Sequence, residues 1–240
     1  MRVKDIDYKE GVSNIRTILS MATPKEIVDG YFWYVDAQKD CFSIATEFDI
    51  PNHIAVGSVA ALSPNNKWDR NVINARDMVR AYINGDSIDS FKVSTYHKMK
   101  EKAWKILQDS PFYDEVKPIL NGQKITTFYE CIMGENTCCV DGHARNIFYL
   151  DRQGLTTPNT NIGKKEYEII QDAYREVADT FKVDDYPNFK LLGKDTLGIL
   201  TNIHNDINSR SPIRFKNFMF KAYHIQAITW VTWRRIHGIT

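Results

Sequence analysis

Apolar residues recur three and four positions apart in almost every segment of this chain, while alternating apolar–polar runs are scarce. A period of 3.6 lays apolar side chains along one face of a helix, whereas a half-buried strand needs a period of two. The pattern therefore predicts an all-α protein in which helices from both ends of the chain pack together. Val12, Ile15, Ile18 and Leu19 form the first stripe. Ile27, Phe32, Trp33, Val35 and Phe42 populate the following segments after a helix start at Thr23-Pro24, so residues 10 to 50 read as two or three helices with these aromatics in the core.

Punctuation residues divide the remaining helices. Ile54 to Leu62 is small and apolar and is broken by Ser63-Pro64, as expected of a packed helix running into a loop. Asn65 or Asn66 is placed to cap a helix bearing Trp68, Val72, Ala75, Met78, Val79 and Tyr82 on one face, with Arg70, Asn71, Asn74 and Arg76 on others, up to Asn84-Gly85. Ser94 or Thr95 caps the next helix, through Gln108. Its Met99, Ala103, Ile106 and Leu107 face inward and Lys98, Lys100, Lys102 and Lys105 largely outward. Lys164 to Phe181 is amphipathic, with Tyr167, Ile170, Tyr174 and Val177 at helical spacing. Residues 184 to 221 hold short apolar runs among Asn, Gly and Pro and read as a long loop, a candidate lid or DNA-contacting segment. Its Arg210, Arg214, Lys216 and Lys221 make the best basic patch of the sequence. Ala222 to Ile236 is the final helix, carrying Trp230 and Trp233, with Arg234-Arg235 at the end where cations suit the helix dipole.

The stretch from Tyr113 to Leu150 carries the densest signals. It reads as helix, tight Gly-containing turn, helix, short extended link, then a further helix opened by Asp141. Pro118, Asn121-Gly122 and Gly134-Glu135-Asn136 supply the boundaries. Ile125, Phe128, Tyr129 and Ile132 give a core-facing stripe, and Cys138-Cys139-Val140 delivers Asp141 to a helix start. There a carboxylate accepts backbone N–H bonds and is held anionic by the dipole. Such an anion is the minimum a site needs to stabilise positive charge developing on a sugar ring.

Composition narrows the classes. A chain of 240 residues with 43% hydrophobic and 25% charged residues has enough material for a full core, in one domain or two intimately packed lobes. No targeting peptide or bilayer-length apolar run is present, so a cytoplasmic location and no membrane partner are expected. Four cysteines, two of them adjacent, do not make a disulfide framework. A net charge of +1 argues against a protein that coats nucleic acid, although a local basic face still attracts phosphate.

A Gly-containing helical hairpin, a Lys just after it and then V-D-x-H at a helix start stand here as Gly122, Lys124 and Val140-Asp141-Gly142-His143. Around them lie Ala61-Leu62-Ser63-Pro64 with Trp68, Asn71 and Ala75, then Asp141-Gly142-His143-Ala144, then Gln226-Ala227-Ile228-Thr229-Trp230-Val231-Thr232-Trp233-Arg234. Together these pieces resemble the helix-hairpin-helix DNA glycosylase superfamily, in a phage and bacterial branch related to the alpha-glutamyl/putrescinyl thymine pyrophosphorylases. The resemblance implies an all-α, glycosylase-like fold over residues 1–240, with two closely packed helical lobes and a cleft between them. One lobe carries the hairpin, about residues 52–150, and the N- and C-terminal helices form the other. It implies DNA as partner, with modified pyrimidines in the branch named, and the host cytoplasm as location for a phage-encoded chain. It further implies catalytic roles for Asp141 and Lys124, a base pocket of Trp68, Asn71, His143 and Trp230, and DNA contacts at Gly122, Gln123, Arg210, Arg214 and Lys216. The hairpin keeps one glycine where the superfamily usually carries L-P-G-x-G. No cysteine follows Cys139, so the four-cysteine iron–sulfur cluster of some relatives has no ligands here, and no cofactor is implied.

Other chemistries find less support. Cys138, Cys139 and His143 lack the paired Cys-x-x-Cys spacing of a zinc site, so no metal is expected. Cys139 with His143 as a nucleophile pair has no supporting motif. No Gly-rich phosphate loop follows a strand. Two classes remain: an enzyme that excises or hypermodifies a flipped DNA base, and a non-catalytic DNA-binding or phage–host interaction protein retaining the fold.

Overall fold

The structure is a computed structural model, and it describes residues 7–154, 162–192 and 220–239. Among them all regular structure is helical: α1 (Tyr8–Ser20), α2 (Pro24–Phe48), α3 (Asn52–Leu62), α4 (Trp68–Ile83), α5 (His97–Asp109), α6 (Val116–Leu120), α7 (Gln123–Ile132), α8 (Gly142–Tyr149), α9 (Lys164–Asp179), α10 (Pro187–Lys190) and α11 (Ala222–Ile236). The all-α expectation holds for these residues. No helix among them is long and apolar enough to cross a membrane. The chain divides into two compact units, one of residues 1–34 with 136–240 and the other Val35–Glu135, so α2 supplies residues to both.

The first unit is built on α1, α8, α9 and α11, each of which packs against the others. The stripe predicted on α1 is buried, as are Tyr167, Ile170, Tyr174 and Val177 of α9. Gly30 of α2 lies so close to α11 that a Cβ placed on it would stand 2.5 Å from the Cα of Ile228. The carboxylate of Glu26, buried near the start of α2, accepts from Arg235 Nε and from the Thr23 amide. Burial pushes its pKa upward, but hydrogen bonding to Arg235 and Thr23 outweighs that and holds it below the usual carboxylate value.

In the second unit α3 is the centre, and α4, α5, α6 and α7 pack on it. Every residue from Ile54 to Leu62 is buried. A helix apolar all round has no solvent face to offer, and the small side chains let four neighbours approach.

Several local expectations are corrected. α4 is capped at Lys67 and α5 at Tyr96, neither with a side-chain cap bond. Asn65 bonds the Tyr96 hydroxyl, Asn66 reaches the Leu62 carbonyl, and Thr95 donates to the Pro64 carbonyl, so the polar residues read as caps tie loops together. Asn71 and Asn74 are 1% and 4% exposed rather than off the packed face. Asn71 donates to the Val59 carbonyl, and Asn74 accepts the Ser94 amide. Lys100 is buried with its ammonium on the Phe91 carbonyl, 4.3 Å from the Phe91 ring, so the α5 lysines are not one solvated face. Pro118 lies inside α6, in the first turn, where a missing N–H removes no intrahelical bond.

Candidate functional site

In the first unit the site begins with an extended link. Residues 136–140 make no helix, so their polar groups need partners from elsewhere. Asn136 Oδ1 accepts the Ala222 amide at the start of α11. From α9, Gln171 Nε2 donates to Thr137 Oγ1 at 3.0 Å and to the Cys138 carbonyl at 2.9 Å. The Tyr167 hydroxyl accepts the Val140 amide at 3.0 Å. Cys138 is fully enclosed, and burial pushes its thiol well up, away from thiolate chemistry.

The link ends at Asp141, the N-cap of α8, in extended geometry with φ −103° and ψ −176°. Its Oδ1 accepts the Ala144 amide at 2.8 Å. His143, in the first turn, is 8% exposed, and its ring meets that of Trp230 edge-on at 6.3 Å. Trp230 is half-buried, with the edge of Trp33 at 6.4 Å and the Arg234 guanidinium 4.7 Å over its ring. Arg145, next along α8, is paired with Glu166 at 2.7 Å in a largely buried contact and leans on Tyr149. Burial, and then the neighbouring Glu166, raises the Tyr149 phenol to about 12. Three of the residues expected at the site thus lie in one unit: Asp141 caps α8, His143 is buried in the first turn of that helix, and Trp230 of α11 meets the His143 ring.

The second unit holds the hairpin. α6 ends at Asn121, which takes the left-handed conformation (φ 42°, ψ 59°) that asparagine tolerates. Gly122 is extended at φ −176°, a conformation open to any residue, and caps α7 without a side-chain bond. Gln123 and Lys124 are exposed in the first turn of α7, whose leading amides have no acceptor within the helix. Lys102 of α5 donates its ammonium to the Leu120 carbonyl and reaches the Asn121 carbonyl at 3.4 Å, a cation at the C-terminus of α6. Burial and the nearby Lys98 lower its pKa. Trp68 is half-buried; its indole N–H donates to Asp40 at 2.9 Å and its ring meets Phe128 at 6.2 Å. Asn71 is fixed by Val59, and its Oδ1 is buried without a hydrogen-bond partner. Trp68, Asn71, Gly122, Gln123 and Lys124 therefore belong to one unit, and Asp141, His143 and Trp230 to the other.

Arg210, Arg214 and Lys216 lie outside the described residues. Lys221, at the end of that patch, is half-buried, and burial lowers its pKa. Among the described residues no three His, Cys, Asp or Glu side chains are grouped to hold a metal ion. The residues missed from sequence are Trp33, Arg234, Tyr167 and Gln171. Arg234 was recoverable, since it stands four positions after Trp230 on one helix. The others act across tertiary contacts that periodicity does not report.

A family model described as a family of unknown function (DUF7178) matches residues 2–187, and the chain belongs to that family. No curated protein and no solved structure matches it.

Proposed function

We propose that this member of the DUF7178 family has a helix-hairpin-helix glycosylase-like fold and acts on a base in DNA, excising it or hypermodifying it in place. The observation that supports the reading best is that Asp141 caps the helix whose first turn holds His143 against Trp230. Breaking an N-glycosidic bond makes an oxocarbenium-like sugar, and a fixed carboxylate beside it lowers that barrier electrostatically. The target base has to leave the stack to be reached, and Trp230 with His143 offers an aromatic surface for it. The hairpin serves as a phosphate grip through the amides near Gly122 and Gln123, with Lys124 in its first turn as nucleophile. Arg210, Arg214 and Lys216 add phosphate contacts.

A second reading is favoured by Arg234, whose guanidinium already occupies a face of Trp230. On that reading the chain is a non-catalytic DNA-binding or phage–host interaction protein, and Asp141 is a cap. Incubation with phage DNA carrying modified pyrimidines, followed by mass spectrometry of the nucleosides, separates the two. The first reading expects abasic sites or altered nucleosides, lost by roughly a hundredfold in Asp141→Asn. Asparagine is also a good cap, so the melting temperature should stay close to that of the native protein. A fully active Asp141→Asn protein ends the catalytic assignment of this residue.

A further inference from the structure

The hairpin turn holds a chemistry that the proposed reaction does not use. The sequence contains two Asn-Gly pairs, Asn84-Gly85 and Asn121-Gly122, and all four residues are exposed. In such a pair the following peptide nitrogen, unhindered by a Cβ, is free to approach the asparagine side-chain carbonyl. The structure sets the two pairs apart. The Gly85 N–H donates to the Tyr82 carbonyl at 3.1 Å and closes the last turn of α4, so attack from that nitrogen first requires the bond to break. The Gly122 N–H donates to no acceptor among the described residues, and neither does the Asn121 carboxamide.

Lys102 adds an assisting group. Its ammonium lies 3.4 Å from the Asn121 carbonyl oxygen. That oxygen and the Gly122 nitrogen belong to one peptide group, whose resonance shares charge between them. When the nitrogen loses its proton the negative charge spreads onto an oxygen facing a cation, so Lys102 favours the attacking form.

We propose that Asn121-Gly122 is a self-modifying site, converted through a succinimide to isoaspartate and aspartate. The Gly122 nitrogen gives its proton to solvent and bonds to Asn121 Cγ. The Cγ–Nδ2 bond breaks, and the side-chain nitrogen leaves as ammonia with a proton returned from solvent. Water then opens the ring at either carbonyl. Opening at the backbone carbonyl gives isoaspartate, and opening at the side-chain carbonyl gives aspartate. No oxidant or reductant takes part. The product places a carboxylate beside Lys102 at the entrance to α7. On the proposed reading that is where a DNA phosphate sits, so the modification switches the grip off.

The test ages the native full-length protein at neutral pH and maps aspartate and isoaspartate by peptide mass spectrometry, with Asn84 as the reference in the same digest. Asn121 should convert about tenfold faster than Asn84, from one hydrogen bond that need not break and one charge-assisted contact. In urea the ratio should fall to near parity, because Ile83 and Leu120 are similar preceding residues. Lys102→Met should slow Asn121 several-fold relative to Asn84 and Lys102→Arg should not. Gly122→Ala, whose Cβ finds its nearest neighbour at 3.4 Å, supplies a folded variant in which the nucleophile is hindered. Equal native rates, or a folded Lys102→Met protein with an unchanged ratio, overturn the proposal. Asn121→Asp then measures DNA affinity separately. If Asn121 converts as expected while that variant binds DNA unchanged, the modification stands and the role of the hairpin as a DNA grip falls.

Discussion

Gly30→Ala tests the packing on which the whole first unit rests. A Cβ at that position would stand 2.5 Å from the Cα and 2.6 Å from the N of Ile228, both backbone atoms of α11. Ordinary contact begins near 3.4 Å, so the shortfall is 3.4 − 2.5 = 0.9 Å, and no rotamer change relieves it. Either α2 or α11 must move by about that distance. α11 also packs on α1, α8 and α9, so moving it opens contacts across the buried cluster. Overpacking of this kind costs about 3 kcal/mol or somewhat more. At roughly 2–4 °C per kcal/mol for a chain of this size, the melting temperature should fall by about 6–12 °C. Gly122→Ala is the contrasting variant, with its nearest neighbour at 3.4 Å and an extended φ. There the loss should stay under about 1 kcal/mol, the difference between glycine and alanine at an N-cap. Circular dichroism melts of the two proteins decide the matter. A Gly30→Ala protein melting within about 2 °C of the native one would refute the close approach of α2 and α11.

Two further outcomes concern buried groups of the two units. Glu26 has a folded pKa below its ordinary value of 4.5, so its stabilising contribution is present above that pH and is lost as pH falls through the depressed pKa. The melting temperature of the native protein should therefore fall more steeply below about pH 4.5 than that of Glu26→Gln, and parallel curves would show that Arg235 does not pair with it in solution. All four cysteines are buried, and burial pushes the Cys41 and Cys138 thiols up, so iodoacetamide at neutral pH should leave the native protein unlabelled and modify four thiols after denaturation; fast native labelling at Cys139 would mean that the link before Asp141 opens.

The helices were legible because burial here follows helical period: the α1 stripe, the α9 stripe and the continuous apolar run of α3 are all in the core. Their ends were less so. A polar residue ahead of an apolar stripe signals a cap only if its side chain turns toward its own helix, and Thr95 and Asn65 turn to other loops instead. Burial of Asn71 and Asn74 was hidden for the same reason, since each bonds a backbone group distant in sequence, the Val59 carbonyl of α3 and the Ser94 amide. Lys100 is buried because an ammonium on a long stem finds the Phe91 carbonyl and ring, and sequence spacing carries no sign of that. Asn121-Gly122 does form the turn, but the left-handed residue is Asn121 and the glycine is extended.

Asp141 shows how a residue can be legible while its meaning is not. An aspartate before a helical stripe is a cap by its chemistry, and the Ala144 amide confirms the bond. A carboxylate has two oxygens and about four lone-pair sites, however, and the cap occupies one of them. Capping therefore does not compete with catalysis; it removes rotamer freedom and holds the second oxygen in place. The holding is itself held, because the link before Asp141 is fixed by Tyr167, Gln171 and the start of α11, all distant in sequence. Stability data alone cannot separate a cap from a positioned anion, because both readings expect Asp141→Ala to lose about 1 kcal/mol. The charge is what differs. Asp141→Asn keeps the acceptor for Ala144 and deletes the anion, so the functional reading stands or falls on a substitution that leaves the fold almost unmoved.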